Sequence, residues 1–264
     1  MIILNSIFVL VLIYLVVVLV IFFSQRKLMY HPYENNYLQE NQLNHNIEKV
    51  YINSDFKILG WHHFKNKKFK TLLFFHGNAG NLQNRIYKLN DISKLDINYL
   101  IIAYRGFSGN EGEPNEKGLY KDSESAKKWL NDYGISDKDI ILYGESLGTA
   151  VAIDLASKHK FAGIILESPF TSMVKLSKIY YPYLPVKILL KDRYESINKI
   201  NNIDFPKMVM HGDKDKIVPF SMGKEIFENL SEPKVSYFKE GDDHMMDFDA
   251  ELLKNIQNFF KIIK

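Results

Sequence analysis

The pattern of apolar and polar positions divides the chain near residue 24. Ile2 to Phe23 is a run of 22 residues without a charge. At about 1.5 Å per residue it reaches roughly 33 Å, enough for a hydrocarbon core of about 30 Å. A cleaved signal peptide carries a basic leader, a shorter apolar run and small residues at its cleavage site. Nothing basic precedes this run, and "FFSQRK" is a poor cleavage site. Residues 1–27 are therefore expected to be an uncleaved transmembrane anchor. Arg26 and Lys27 follow the span, so the positive-inside rule places residues 28–264 in the cytoplasm.

Leu28 to Asn46 is polar and Asn-rich, and reads as an irregular lead-in. Beyond it, short apolar runs alternate with segments of helical period. "KVYIN" and "KILGWHHF" predict an antiparallel pair around the turn residues Ser54 and Asp55. "TLLFF", "YLIIAY", "DIILYG", "FAGIIL", "KMVMH" and "KVSYF" complete the strands, and the continuous apolar runs among them suit strands buried on both faces. Helices are expected over about 82–95, 118–133, 147–158, 221–230 and 249–263. Such alternation predicts an α/β fold, a mostly parallel sheet covered on both faces. Ligands of these sheets bind at the carboxyl ends of strands. His76, Arg105, Ser146, Glu167, Asp213 or Asp215, and His244 each follow a strand run.

Composition then excludes several classes. The net charge of +3 is spread along the chain without a basic run, which argues against nucleic acid. The absence of cysteine rules out a disulfide framework, a thiolate zinc site and a cysteine nucleophile. No H-E-x-x-H, Walker or G-x-G-x-x-G pattern points to a metal or a nucleotide, and no cofactor is expected. His62 and His63 are adjacent on a strand, face opposite ways and cannot share a metal.

Gly144-Glu145-Ser146-Leu147-Gly148 fits G-x-S-x-G between a strand and a helix. A serine on that sharp turn leaves no room for side chains two residues away on either side, which glycine satisfies. The hydroxyl needs a base, and in this architecture the order is serine, acid, histidine. His244 suits the base, because imidazole takes and returns a proton near neutrality. His159 ends a helix and His211 lies within a strand end, so both are weaker choices. For the acid, Asp215 before Ile217 and Val218 is preferred, with Asp213 expected to bond loop backbone. Glu167 is an outside alternative, and Asp242 and Asp243 could tune the histidine. Oxyanion donors are expected from the backbone N–H of Leu147 and from Asn78 in "HGNAGN".

"HGNAGN", "YRGFSGNEGEP", "GESLG", "ESPFTS", "HGDKDKIVP" and "GDDH", with "LMYHP" after the anchor, occur in an order that resembles the bud-emergence-type α/β hydrolases. These are membrane-anchored serine hydrolases related to human protein depalmitoylases of the α/β-hydrolase-domain group. The resemblance spans essentially the whole chain. It implies the α/β-hydrolase fold, nucleophile Ser146, acid Asp215 and base His244. Arg105, in the family's "YRG" segment, is read as bracing loops. Phe56 departs from the glycine that relatives often carry there.

Residues 171–202, aromatic and interrupted by Pro182 and Pro185, suit a small cap that lines an acyl pocket or touches the bilayer. Ordinary packing on the core is the alternative. The expected function is a membrane-anchored serine hydrolase of carboxylic esters or thioesters, acting on a small-molecule, lipid-like or acylated substrate. The alternatives are a non-catalytic tethered scaffold and a serine peptidase of the same fold.

Overall fold

The computed structural model describes residues 2–32 and 40–263. Residues 33–39 of the expected lead-in lie outside the described residues. Eight strands form one sheet: β1 (Glu48–Asn53), β2 (Lys57–His63), β3 (Thr71–Phe75), β4 (Asn98–Ile102), β5 (Ile140–Glu145), β6 (Gly163–Glu167), β7 (Lys207–Gly212) and β8 (Lys234–Lys239). Their order is β1-β2-β4-β3-β5-β6-β7-β8. The pairs β1/β2 and β2/β4 are antiparallel and the rest are parallel. Every residue of β3 to β7 is buried, which is why these strands read as near-continuous apolar runs.

Register decides where the site forms. Phe75 pairs with Gly144, Glu145 with Glu167, and Glu167 with Met210. The ends of β3, β5, β6 and β7 are therefore level, and the residues that follow them emerge along one edge. Helices cover the sheet: α2 (Ile86–Ile92), α3 (Glu116–Asp132), α4 (Leu147–Ala156), α7 (Phe220–Asn229) and α8 (Ala250–Ile262). Asn115 caps α3 and Asp249 caps α8, each accepting a backbone N–H three residues on. The helix expected over 82–95 is shorter. Asn81 and Asn84 form a capping box that opens a 3₁₀ turn, Leu82–Arg85, before α2 begins.

The stretch between β6 and β7 carries two short helices, α5 (Met173–Tyr180) and α6 (Val186–Leu189). Upstream of the sheet, α1 (Ile2–Met29) is a candidate membrane span, and none of its most apolar 18 residues is buried by protein. Directly after it, His31–Pro32 pairs in parallel with Ala79–Gly80. This two-residue ladder ties the end of α1 to the loop after β3.

Arg105 lies far from chemistry in its contacts. Its guanidinium binds Asp122 on α3 and Asp55 in the β1–β2 turn. Phe56 stacks under that guanidinium, and its ring fills the space where Gly112, at φ +88°, lacks a Cβ. His62 packs on Trp129 and Tyr133, whereas His63 faces Tyr99 and His45.

Candidate active site

Ser146 follows β5 at φ +52°, ψ −115°, a conformation that costs about 1–3 kcal/mol for a non-glycine residue. Close packing holds it there. A Cβ on Gly148 would lie 2.0 Å from the Phe75 carbonyl oxygen, and one on Gly144 2.5 Å from that of Gly148. Both glycines thus let α4 press against β3 and β5. Ser146 N–H donates to the Glu167 carbonyl at 2.9 Å, which pins the turn to β6.

Across the sheet edge, the His244 imidazole stands between Ser146 and Asp215. Nε2 is 2.9 Å from Ser146 Oγ, and Nδ1 is 2.7 Å from Asp215 Oδ2. A carboxylate only accepts, so Nδ1 carries the proton and Nε2 offers its lone pair to the serine. Asp215 is saturated. Oδ1 accepts the N–H groups of Ile217 and Val218, both at 2.8 Å. Oδ2 also lies 2.9 Å from His211 Nε2, which is 3.1 Å from the Val218 carbonyl. Two acceptors at one nitrogen require His211 Nε2 to be protonated. Burial alone would raise the Asp215 pKa, but the bonds from His211, His244 and Val218 outweigh it and hold the carboxyl far below its ordinary range.

The other sequence candidates sit elsewhere. Asp213 accepts the Gly241 N–H at 2.7 Å and so bonds loop backbone. Glu167, the outside alternative for the acid, turns to Lys88 and Tyr143 instead. Asp242 accepts the N–H groups of Asp243 and Asp247 and pairs with Lys239. His159 pairs with Glu124. His211, considered only as a rival base, reaches the acid rather than the serine. Its position depends on Gly223 of α7, where a Cβ would fall 2.1 Å from His211 Nδ1.

Leu147 is the first residue of α4, so its N–H has no carbonyl one turn back within the helix. It lines a cavity with Ser146 and Asn78. Two hydrogen bonds hold Asn78 itself. Its side-chain amide donates to the Met29 carbonyl at 2.8 Å, and its carbonyl accepts the His31 N–H at 2.8 Å. Its neighbours are fixed from beneath: the Gly77 N–H reaches Glu145 Oε1 at 3.2 Å, and Arg85 donates to the Ala79 carbonyl at 2.8 Å.

Glu145 and Arg85 belong to a buried charge cluster. Arg85 meets Glu145 at 2.5 Å, and Lys88 bridges Glu145 at 2.8 Å and Glu167 at 2.6 Å. The formal charges balance, two positive and two negative. Burial opposes the Glu145 charge, yet Arg85 and Lys88 hold its pKa well below the usual range. Burial pushes Glu167 up, aided by Glu145 and opposed by Lys88. Charges separated by 57 to 82 positions look like solvated faces in a sequence; the register of β5 against β6 pairs the glutamates, and the 3₁₀ turn and α2 bring the cations to them.

His76, just before this loop, is fully buried against Tyr104 and Phe107, with Nδ1 2.7 Å from the Gly77 carbonyl. Burial, with Arg85 nearby, pushes its pKa down to about 3. The folded state therefore keeps it neutral, while the unfolded chain takes up a proton below about pH 6.5. Stability attributable to this site is full above that value and is lost as pH falls toward 3. Between pH 7 and 4.5, His76→Asn is expected to lose less stability than the wild type, by roughly 2–3 kcal/mol in urea unfolding. Equal slopes would refute the assignment.

Residues 91–260 match the prolyl oligopeptidase family. An uncharacterised protein of Mycobacterium tuberculosis is 34% identical over 244 residues, covering 90% of this chain and 85% of that one. Human α/β hydrolase domain-containing protein 17B is 34% identical over 194 residues, covering 72% of this chain and 65% of that one. An esterase of Pyrococcus furiosus superposes with a TM-score of 0.71 over 89% of this chain and 98% of its own, at 20% identity, a likeness of fold. On these matches the chain belongs to the α/β hydrolases, in the group described by the prolyl oligopeptidase family.

Proposed function

We propose that the protein is a membrane-tethered serine hydrolase that cleaves carboxylic ester or thioester bonds through an acyl-enzyme. One observation carries this reading: a single imidazole lies within hydrogen-bond distance of both Ser146 Oγ and Asp215. Ser146 Oγ attacks the acyl carbon as His244 Nε2 takes its proton. Asp215 keeps the imidazole in the productive tautomer and stabilises the imidazolium. The N–H groups of Asn78 and Leu147 hold the developing oxyanion. His244 then protonates the departing oxygen or sulfur, and the bond to it breaks. Water, deprotonated by the same nitrogen, attacks the acyl-enzyme; the carboxylic acid leaves and Ser146 regains its proton.

Support for an acyl substrate comes from the cavity beside Ser146. It has a volume of about 250 Å³, and its walls include Leu147, Phe170, Met173, Leu176 and Val218. Arg26 and Lys27 at the end of α1 support a cytoplasmic location for the hydrolase domain. Peptide hydrolysis is the second reading, favoured by the family description.

A fluorophosphonate probe and a panel of p-nitrophenyl esters and thioesters of rising chain length, run beside aminopeptidase and prolyl-peptide substrates, test this. Labelling is expected in the wild type and absent in Ser146→Ala, with ester or thioester turnover at least tenfold above peptide turnover. An unlabelled wild type would sink the hydrolase reading; preferred peptide cleavage would replace the substrate class.

A further inference from the structure

The cavity beside Ser146 has two sides of different origin. One side is the cap, including Leu176, Tyr180 and Leu184; the other is the last two turns of α1, including Ile21, Gln25 and Met29. From Met29, bonded to Asn78, to Ile21 is eight residues of helix, or roughly 12 Å. The cavity therefore runs from the reacting serine along the anchor, toward its apolar part.

This seam is built. Gln25 donates to the Leu189 carbonyl at 3.1 Å and accepts the Lys191 N–H at 2.7 Å. Arg26 binds Asp192 through two nitrogens, at 2.9 and 3.2 Å. Tyr30 closes the set, with its hydroxyl 3.2 Å from Asp192 and 2.7 Å from the Tyr194 hydroxyl. Asp192, Tyr30 and Tyr194 are buried. Higher on the helix, the Tyr14 hydroxyl donates to the Tyr183 carbonyl at 3.0 Å. Tyr14 is seven residues beyond Ile21, roughly 10 Å further along the apolar span. A cap residue thus lies beside the middle of a helix long enough to cross a bilayer.

The outer face of the cap is apolar and aromatic. Ile179, Tyr183 (66% exposed) and Ile188 (83% exposed) lie open on it. Tyrosines of this kind settle at the membrane–water interface. Tyr183 of this patch meets Tyr14 of α1, so the bilayer that takes α1 also reaches the cap.

We propose that the cap lies within the membrane interface, and that the cavity between it and α1 is a slot receiving one acyl chain directly from the bilayer. The anchor is then a wall of the substrate site as well as a tether. This rests on the serine hydrolase reading and specifies its substrate: a membrane-resident ester or thioester whose chain slides between α1 and α5 until its carbonyl meets Ser146. Such a chain passes from lipid to an apolar slot without crossing water, so no methylene has to be hydrated on the way.

The test uses the full chain in phosphatidylcholine vesicles, with p-nitrophenyl palmitate in the bilayer and p-nitrophenyl acetate in solution. Ile188 lies outside the cavity. Ile188→Glu is expected to lower kcat/KM for the palmitate at least tenfold while the acetate stays within twofold. Ile21→Trp, which fills the slot, is expected to lower the palmitate-to-acetate ratio of kcat/KM at least tenfold. Independently of turnover, Ile188→Trp is expected to add fluorescence that brominated phosphatidylcholine quenches. Unquenched added fluorescence, an unchanged palmitate rate in Ile188→Glu, or an unchanged ratio in Ile21→Trp overturns the proposal. Fluorophosphonate labelling of Ser146 in each variant separates these outcomes from failure of the hydrolase reading, which an unlabelled wild type alone would signal.

Discussion

Asp215→Asn is expected to lower kcat on a short soluble ester by about 10⁴-fold, with the protein still folded. The reason lies in four hydrogen bonds to one carboxylate. Oδ1 accepts two backbone N–H groups, from Ile217 and Val218, which an asparagine carbonyl would keep. Its NH₂ would then occupy the place of Oδ2, where both His211 Nε2–H and His244 Nδ1–H now donate. Donor would meet donor twice. His244 relieves its contact by moving its proton to Nε2, the nitrogen 2.9 Å from Ser146 Oγ. A protonated Nε2 cannot accept from the serine, so the nucleophile stays an alcohol. Circular dichroism would establish the fold, and the loss would appear in kcat rather than in KM for the short ester. A loss below tenfold would show that Asp215 does not set the tautomer, and the proposed mechanism would fail at that step.

These residues were legible in the sequence because each follows an apolar run. A strand buried on both faces announces its own end, and the site gathers at strand ends. Ser146 could be named from that rule and from glycine spacing, and His244 from the order serine, acid, histidine; the rule left Asp213 beside Asp215, and Ile217, Val218 and the family resemblance favoured the latter. The link between His211 and the acid could not, because it depends on ring orientation; the nearest signal is its spacing of four residues from Asp215, with Gly223 making room on another element. The sheet order was hidden too. That β4 lies between β2 and β3 follows from pairing, which no single strand's pattern encodes. The apolar helix α1 was legible, yet its bond to Asn78 did not show. That contact joins positions 49 residues apart through a two-residue ladder, too short to leave a periodic trace.

The buried charges were the least legible feature and carry the second large expectation. Lys88→Met is expected to destabilise the fold by about 3–5 kcal/mol, because it leaves Glu167 buried without a cation and the cluster one positive charge short. Lys88 is wholly buried, and Glu145 and Glu167 lie within 2.8 Å of its ammonium. Its burial would favour losing the proton, but the two carboxylates outweigh that and raise its pKa. Without it, Arg85 alone would face two negative groups, and it touches only Glu145. For a domain of this size the loss corresponds to roughly a 6–20 °C fall in Tm. Adding Glu167→Gln removes the stranded charge, and the double variant is expected to recover more than half of the loss. Calorimetry of the single and double variants decides this; a double variant no more stable than Lys88→Met would mean that packing around the lysine stem, not charge balance, sets the cost. Because Glu145 holds the Gly77 amide and Arg85 the Ala79 carbonyl, the same cluster also fixes the backbone on either side of Asn78. Slower fluorophosphonate labelling of folded Lys88→Met, measured well below its Tm, is therefore expected to accompany the stability loss. An unchanged labelling rate would confine the cluster to stability alone.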